Sequence, residues 1–412
     1  MVTVSGVVAP DAGPAPRRTR RWLRRLVAVL VVAVLLIVAA AAGVAWYFSG
    51  VALAVDHSSA FPVTVLAPRG APSAVGQAAV GQAGAGQAGG VVAPTVRLSR
   101  DPDTVAPGTV GLAWASGYGR IGAVVASDSG SVTRTFIPVS GGLPAVGTPA
   151  RVDSYTYAGD PSSAIGLAFS QVRVAGPLGP LPTWFVPAPG HRWIVFVHGH
   201  DADRQESLRY LRTWHDLGYP VLVPSYRDDV GAPSSPARWH HLGDTEWQDV
   251  AAAIRWAHDH GAADVVLAGW SMGGAIALQT VARSDVAGLV RGLLLDSPVI
   301  DWRDVFAAQG ADRGLPGVEV TLAQWVVQWR SGISLDRLDW VARANQLRVP
   351  TLILHSDSDD YVPDGPAVRL AAARPDLVTL VRVPGARHTL DRNVDPTRYD
   401  DAVRSWLARL PT

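Results

Sequence analysis

The sequence predicts an α/β protein with a mostly parallel sheet and flanking helices, preceded by a transmembrane helix and a short β-rich segment. Three observations carry this prediction. Residues 26–48, LVAVLVVAVLLIVAAAAGVAWYF, run without a charge. Residues 95–150 alternate short β-prone runs with Gly, Pro and Ser turns. From about residue 155 apolar strand-like runs alternate with helical stretches, the pattern of a parallel sheet.

At about 1.5 Å per residue the uncharged run makes a helix of roughly 34 Å, enough to cross a bilayer core. Arg17, Arg18, Arg20, Arg21, Arg24 and Arg25 stand just before it. Such clusters stay on the cytoplasmic side, so residues 1–25 read as an inner tail and the rest as outside. Trp46, Tyr47 and Phe48 fit an aromatic belt at the outer interface. Ala39–Ala42 would suit a signal-peptide cleavage site, but the apolar run exceeds the usual signal core, so an uncleaved anchor is expected.

Residues 49–150 read as a linker and the β-rich segment. Within them, residues 67–94 are almost all Ala, Gly, Gln, Val and Pro, with Gly-Gln-Ala recurring at Gly76, Gly81 and Gly86. That composition predicts a flexible linker. The strand-like runs Thr109–Trp114, Ile121–Ala126 and Ser131–Val139 follow, with no catalytic constellation. Arg120, Asp128 and Arg134 read as solvated surface charges.

The remaining segment, 151–412, is the catalytic candidate. Gly166–Ala175 and Pro182–Pro187 read as strands, followed by WIVFV at 193–197, a run of the kind buried on both faces of a sheet. A helix over Arg204–Leu217, a strand at Val221–Pro224 and a helix over Asp244–His260 come next. They precede a strand at Asp264–Ala268, a helix over Ser271–Ala282 and strands at Gly292–Leu295, Thr351–Leu354 and Leu377–Val383. Thr397–Leu410 is the last helix. Composition allows a large core, with 48% apolar and 17% charged residues. The net charge is +1, and residues 1–25 hold six Arg against one Asp, so the remainder carries −4. This balance argues against nucleic acid as a partner. The absence of cysteine excludes disulfides, zinc-thiolate sites and cysteine catalysis.

The strongest chemical signal is Gly269-Trp270-Ser271-Met272-Gly273, placed where a strand turns into a helix. That is the setting of a nucleophile elbow. Glycines two residues either side remove Cβ atoms that would clash there. Proteins with such an elbow run in the order serine, acid, histidine. His355 and His388 are the histidines beyond Ser271, and His355 precedes any acid in its own loop. His388 is therefore the candidate base. The acid comes from Asp357, Asp359 or Asp360, which chemistry alone does not separate, with Asp296 a weaker alternative. The oxyanion needs two amides: Met272, directly after the nucleophile, and one from the loop His198-Gly199-His200-Asp201. His198 and His200 form a His-x-His pair, but Ala202 and Asp203 stand where a metallohydrolase needs an aspartate and a third histidine, so no metal site is expected. No cofactor is expected either.

The motifs VFVHGH at 195–200, GWSMGG at 269–274, HSDSDDYVP at 355–363 and GARHT at 385–389 resemble those of α/β-hydrolases, over residues 155–412. The resemblance implies that the acid of a D-x-x-V-P run is Asp359, and that the second oxyanion amide is that of His200. It also implies a small helical cap at about 297–350. Arg227, Glu246 and Asp249 resemble structural ion-pair positions near the post-strand arginine Tyr226-Arg227. The nearest likenesses are membrane-anchored bacterial esterases, lipases and peptidase-like hydrolases. The expected activity is cleavage of a small-molecule carboxylic ester or thioester through an acyl-enzyme at Ser271. The alternatives are a serine peptidase and a catalytically idle envelope protein. Trp270, Trp325 and Trp329 are candidates for the substrate pocket, since Trp325 and Trp329 lie four apart on one helix face.

Overall fold

A computed structural model describes residue 6 and residues 17–58, 60–68 and 94–411. Most of the basic tail and the Gly-Gln-Ala segment, 69–93, lie outside the described residues.

The first element is helix α1 (Arg17–Leu53). Its stretch Arg21–Leu53 is the one helix among the described residues long and apolar enough to cross a membrane. The helix does not stop at Phe48. It continues to Leu53, because Ala45, Ser49 and Leu53, spaced four apart, are fully buried on one face against the rest of the protein.

Strands β1 (Val63–Leu66), β2 (Thr95–Ser99), β3 (Val110–Trp114), β4 (Gly117–Ser127), β5 (Ser131–Ser140) and β6 (Pro149–Asp153) close an antiparallel barrel in the order β1-β2-β5-β4-β3-β6. A short helix, α2 (Pro102–Val105), lies between β2 and β3. The low-complexity segment therefore joins two neighbouring strands of one barrel, since Leu66 pairs with Arg97. Inward positions alternate along each strand, as pleating requires. Val96 and Leu98, Val110 and Leu112, and Val132 and Phe136 form the barrel core. Arg134 occupies an inward position between the last two. It is fully buried rather than a solvated charge, and its guanidinium donates to the carbonyls of Gly122, Thr104, Ala106 and Gly108.

The second unit holds an eight-stranded sheet of β7 (Ser170–Gly176), β8 (Gly179–Val186), β9 (Arg192–Val197), β10 (Val221–Pro224), β11 (Asp264–Trp270), β12 (Val290–Asp296), β13 (Thr351–His355) and β14 (Val378–Arg382). Their order is β14-β13-β12-β11-β9-β10-β8-β7. The β10-to-β14 portion is parallel, while β8 runs antiparallel to both its neighbours. The first strand begins at Ser170 rather than Gly166, because Gly166, at φ 66°, ends helix α3 (Pro161–Ile165).

Central strands are buried on both faces, which explains their continuous apolar runs. In β9, Trp193, Val195 and Val197 face one layer, and Ile194 and Phe196 the other. The first layer contains α5 (Trp247–Asp259), α6 (Met272–Arg283), the cap helices α7 (Trp302–Asp312) and α8 (Gly317–Ser331), and α9 (Gly365–Ala373). The second contains α4 (Leu208–Asp216) and α11 (Pro396–Leu407), the latter preceded by the single turn α10 (Asp391–Val394).

The barrel docks on the loop and turn between β14 and α11. Leu390 inserts into the barrel core. Asn393 Nδ2 donates to the carbonyls of Thr109 and Ser154 and to Thr156 Oγ1, and the Thr109 amide donates to the Asn393 carbonyl at 3.0 Å. Arg387 pairs with Asp103.

Candidate active site

Ser271 stands between β11 and α6 with φ 53° and ψ −119°. A positive φ at a residue with a side chain costs on the order of 1–3 kcal/mol and persists only when its surroundings impose it. Here they do. A Cβ on Gly269 would lie 2.5 Å from the Gly273 carbonyl oxygen, and one on Gly273 would lie 2.1 Å from that of Val197. The Ser271 amide donates to the Asp296 carbonyl at 3.0 Å, which ties the turn to β12.

The side chain meets His388, whose Nε2 lies 2.9 Å from Ser271 Oγ. On its other side, His388 Nδ1 lies 2.8 Å from Asp359 Oδ2. A carboxylate only accepts, so Nδ1 carries the proton and Nε2 is free to accept from the serine hydroxyl. The three side chains come from the segments after β11, β13 and β14, at the C-terminal ends of these parallel strands.

The structure separates the three neighbouring aspartates. The Asp359 side chain is wholly buried and also accepts from the amides of Tyr361 at 2.9 Å and Val362 at 2.8 Å. Asp360 turns outward to Arg387 Nε at 2.7 Å and accepts the His388 amide at 3.2 Å. Asp357 is exposed and accepts from Ser358 Oγ. Asp296 points beneath the site, toward Tyr210 and Asp391.

Burial pushes the Asp359 carboxyl up, but the charge of His388 and the hydrogen bonds from His355 and His388 outweigh it and hold the group well below the usual carboxylate range. Burial disfavours the His388 imidazolium, and the adjacent Asp359 carboxylate overcomes this, so its pKa rises above the ordinary histidine value.

The amide of Gly199 is occupied by Glu206 Oε2 at 2.9 Å, which leaves that of His200 as the candidate oxyanion donor of this loop. Tyr226, whose hydroxyl donates to the Gly199 carbonyl at 2.7 Å, braces the same loop. Met272 opens α6, where first-turn amides have no partner within the helix. His198 is turned away to Asp229 Oδ2 at 2.8 Å. Asp201 accepts from His200 Nδ1 at 3.0 Å, His240 Nε2 at 2.9 Å and the Asp56 amide at 2.8 Å. These three side chains lie close enough to hold a cation, and the hydrogen bonds already account for their grouping.

Arg227 pairs with Asp249, Nε to Oδ2 at 2.7 Å, whereas Glu246 instead accepts the amides of His241, Gly243 and Thr245. None of the tryptophans expected at the pocket lines it. Trp270 is fully buried among Phe196, Tyr210 and Trp214, because its position alternates to the sheet face away from the nucleophile. Trp325 and Trp329 do share a face of α8, but they are 66% and 76% exposed. An apolar cavity that reaches His200 and Tyr361 is lined instead by Val320, Ala323 and Val327 of α8, by α7 and by the end of α1. The Tyr361 ring lies 5.3 Å from that of His388. Tyr361 stands in the same loop as Asp359, so its place in the DDYVP run was the available signal.

Comparison with known proteins agrees with this architecture. The prolyl oligopeptidase family matches residues 207–410, and a domain of unknown function (DUF8805) matches 87–153. The uncharacterized Mycobacterium tuberculosis protein Rv2307c is 26% identical over 217 residues, 52% of this chain and 69% of that protein. The Bacillus subtilis AB hydrolase superfamily protein YisY is 27% identical over 219 residues, 44% of this chain and 80% of its own length. A solved structure of the Pyrococcus furiosus esterase Pf2001 shares the fold at a TM-score of 0.51 and 17% identity, covering 61% of this chain and 94% of that one. The strand order, the strand-to-helix turn between β11 and α6 and these likenesses show that the chain has the α/β-hydrolase fold.

Proposed function

We propose that the chain is a serine hydrolase of carboxylic esters or thioesters, with Ser271 as nucleophile, His388 as base and Asp359 as the acid that orients it. The observation that carries this reading is the continuous hydrogen-bonded line Ser271 Oγ–His388 Nε2–His388 Nδ1–Asp359 Oδ2, at 2.9 and 2.8 Å. As Ser271 Oγ bonds to the acyl carbon, its proton passes to His388 Nε2. The amides of Met272 and His200 hold the resulting oxyanion. The bond to the leaving oxygen or sulfur then breaks, and His388 returns the proton to it. Water, activated by the same histidine, attacks the acyl-enzyme and releases the acid and the free serine. The six-Arg cluster in the first turns of α1 supports an anchor with its N-terminus inside and the hydrolase outside the cytoplasm.

The match to the prolyl oligopeptidase family favours a second reading, a peptidase with the same three residues. A fluorophosphonate probe should label the wild-type chain and not Ser271→Ala. A series of p-nitrophenyl esters and anilides then separates the readings. Ester turnover is the expected result; anilide cleavage without ester turnover selects the peptidase, and no labelling selects the idle scaffold.

A further inference from the structure

We propose that the substrate is an acyl ester resident in the bilayer, and that its chain enters the cavity reached by His200 and Tyr361, one wall of which is the end of the membrane helix. This rests on the serine-hydrolase reading and names its substrate class. Phe48, Val51 and Ala52 of α1 face Val320, Ala323 and Val327 of α8 across an apolar cavity of about 100 Å³. His200, whose amide is the proposed oxyanion donor, and Tyr361, its ring 5.3 Å from that of His388, also line it. The cavity lining is mostly apolar, which suits an alkyl chain better than a peptide segment, whose backbone polar groups would go unpaired there.

The α1 wall is built in rather than loosely tethered. Arg330 Nη1 donates to the Trp46 carbonyl at 3.2 Å and to Ser49 Oγ at 2.6 Å, and its guanidinium lies 4.1 Å from the centre of the Trp46 ring. The His240 amide donates to the Leu53 carbonyl at 3.0 Å. One or two turns toward the N-terminus, the same helix becomes the exposed apolar stretch suited to a bilayer. Between the two, Trp46, Tyr47, Trp325 and Trp329 form an exposed aromatic patch, with Trp46 and Trp329 rings 6.2 Å apart. Aromatic residues of this kind settle at a membrane–water interface. With the patch at that level, α8 rests on the bilayer and the cavity opens beside the outer leaflet. A chain sliding from the leaflet into the cavity keeps its methylenes out of water throughout. The face that Trp325 and Trp329 present outward is thus a membrane contact.

The test uses the full chain reconstituted in phosphatidylcholine vesicles, with a hexadecanoyl 4-methylumbelliferyl ester dissolved in the same vesicles or in separate ones. Hydrolysis should be faster by about tenfold or more in the shared bilayer, where the effective concentration is high. Equal rates would overturn lateral delivery. Ala52→Phe and Ala323→Phe fill the cavity from opposite walls, with folding followed by circular dichroism. Each folded variant should lower the decanoyl-to-acetyl ratio of kcat/KM by about tenfold or more, since two buried methylenes are worth that much. An unchanged ratio would overturn the cavity assignment while fluorophosphonate labelling of wild-type Ser271 still upheld the hydrolase. Failure of that labelling would overturn the underlying reading itself.

Discussion

Replacing Asp359 by Asn should abolish most turnover without unfolding the site. The Asp359 side chain is buried and accepts four groups: His388 Nδ1 at 2.8 Å, the amides of Tyr361 and Val362, and His355 Nε2 at 3.3 Å. An Asn Oδ1 can keep the two amide bonds, leaving its NH₂ aimed at His388. Nδ1 must then accept, which moves the imidazole proton to Nε2 and points it at Ser271 Oγ. The base is blocked by its own hydrogen. The same exchange in a serine-protease triad costs about 10⁴ in kcat, equivalent to about 5 kcal/mol of barrier. The assay is kcat/KM for a p-nitrophenyl ester across pH. In the wild type the acid limb should lie above the ordinary histidine pKa of about 6.5, because only neutral His388 accepts a proton and its pKa is raised. Linkage gives two matching stability terms. The raised His388 pKa stabilises the fold at low pH, and this is lost as pH rises through its folded value. The depressed Asp359 pKa stabilises above the ordinary carboxylate range, and this is lost as pH falls through its folded value. Asp360→Asn and Asp357→Asn should stay within about tenfold, since neither touches the imidazole ring. A thousandfold loss in either, with Asp359→Asn active, would refute the assignment.

Arg134→Met removes the donors of four barrel carbonyls and should destabilise the chain by about 2–4 kcal/mol after the relief of burying a charge, read by thermal unfolding; an equally stable variant would mean those carbonyls find other donors. Asp391 is pushed up to about 10, by burial and then by the neighbouring Asp296, so it keeps its proton at neutral pH and Asp391→Asn should cost under about 1 kcal/mol there. Wild-type stability should fall as pH rises from about 4 toward that value, because the folded chain holds a proton that the unfolded chain releases, and urea titrations of the Asn variant should lack that slope. Protease added to intact spheroplasts should digest the catalytic unit; protection until lysis would reverse the proposed orientation.

Local patterns were enough to single out Ser271 and His388 as candidates, and folding brings their side chains to 2.9 Å. A nucleophile elbow needs glycines within a few residues and a strand-to-helix switch, and both are written in residues 264–282. The strands β9, β11, β12 and β13 were visible because burial on both faces demands uninterrupted apolar runs. The choice of Asp359 over Asp357 and Asp360 came from likeness to a family run, and only folding distinguishes them physically, by burying one and pairing another with Arg387. Facing was the information the chain's pattern lacked. Spacing by four put Trp325 and Trp329 on one side of α8 but could not say whether that side met the cavity or the outside. Likewise Arg134 looks like a surface charge until its strand is paired, when alternation turns it into the barrel. The distant contacts are the least local of all. Val63–Leu66 closes a barrel with strands beyond residues 69–93, Leu390 plugs that barrel from the loop carrying His388, and the last turns of α1 become a wall of the cavity that His200 and Tyr361 also line. Each joins segments tens to hundreds of residues apart, and such pairings are selected by tertiary packing, which no window of neighbouring residues contains.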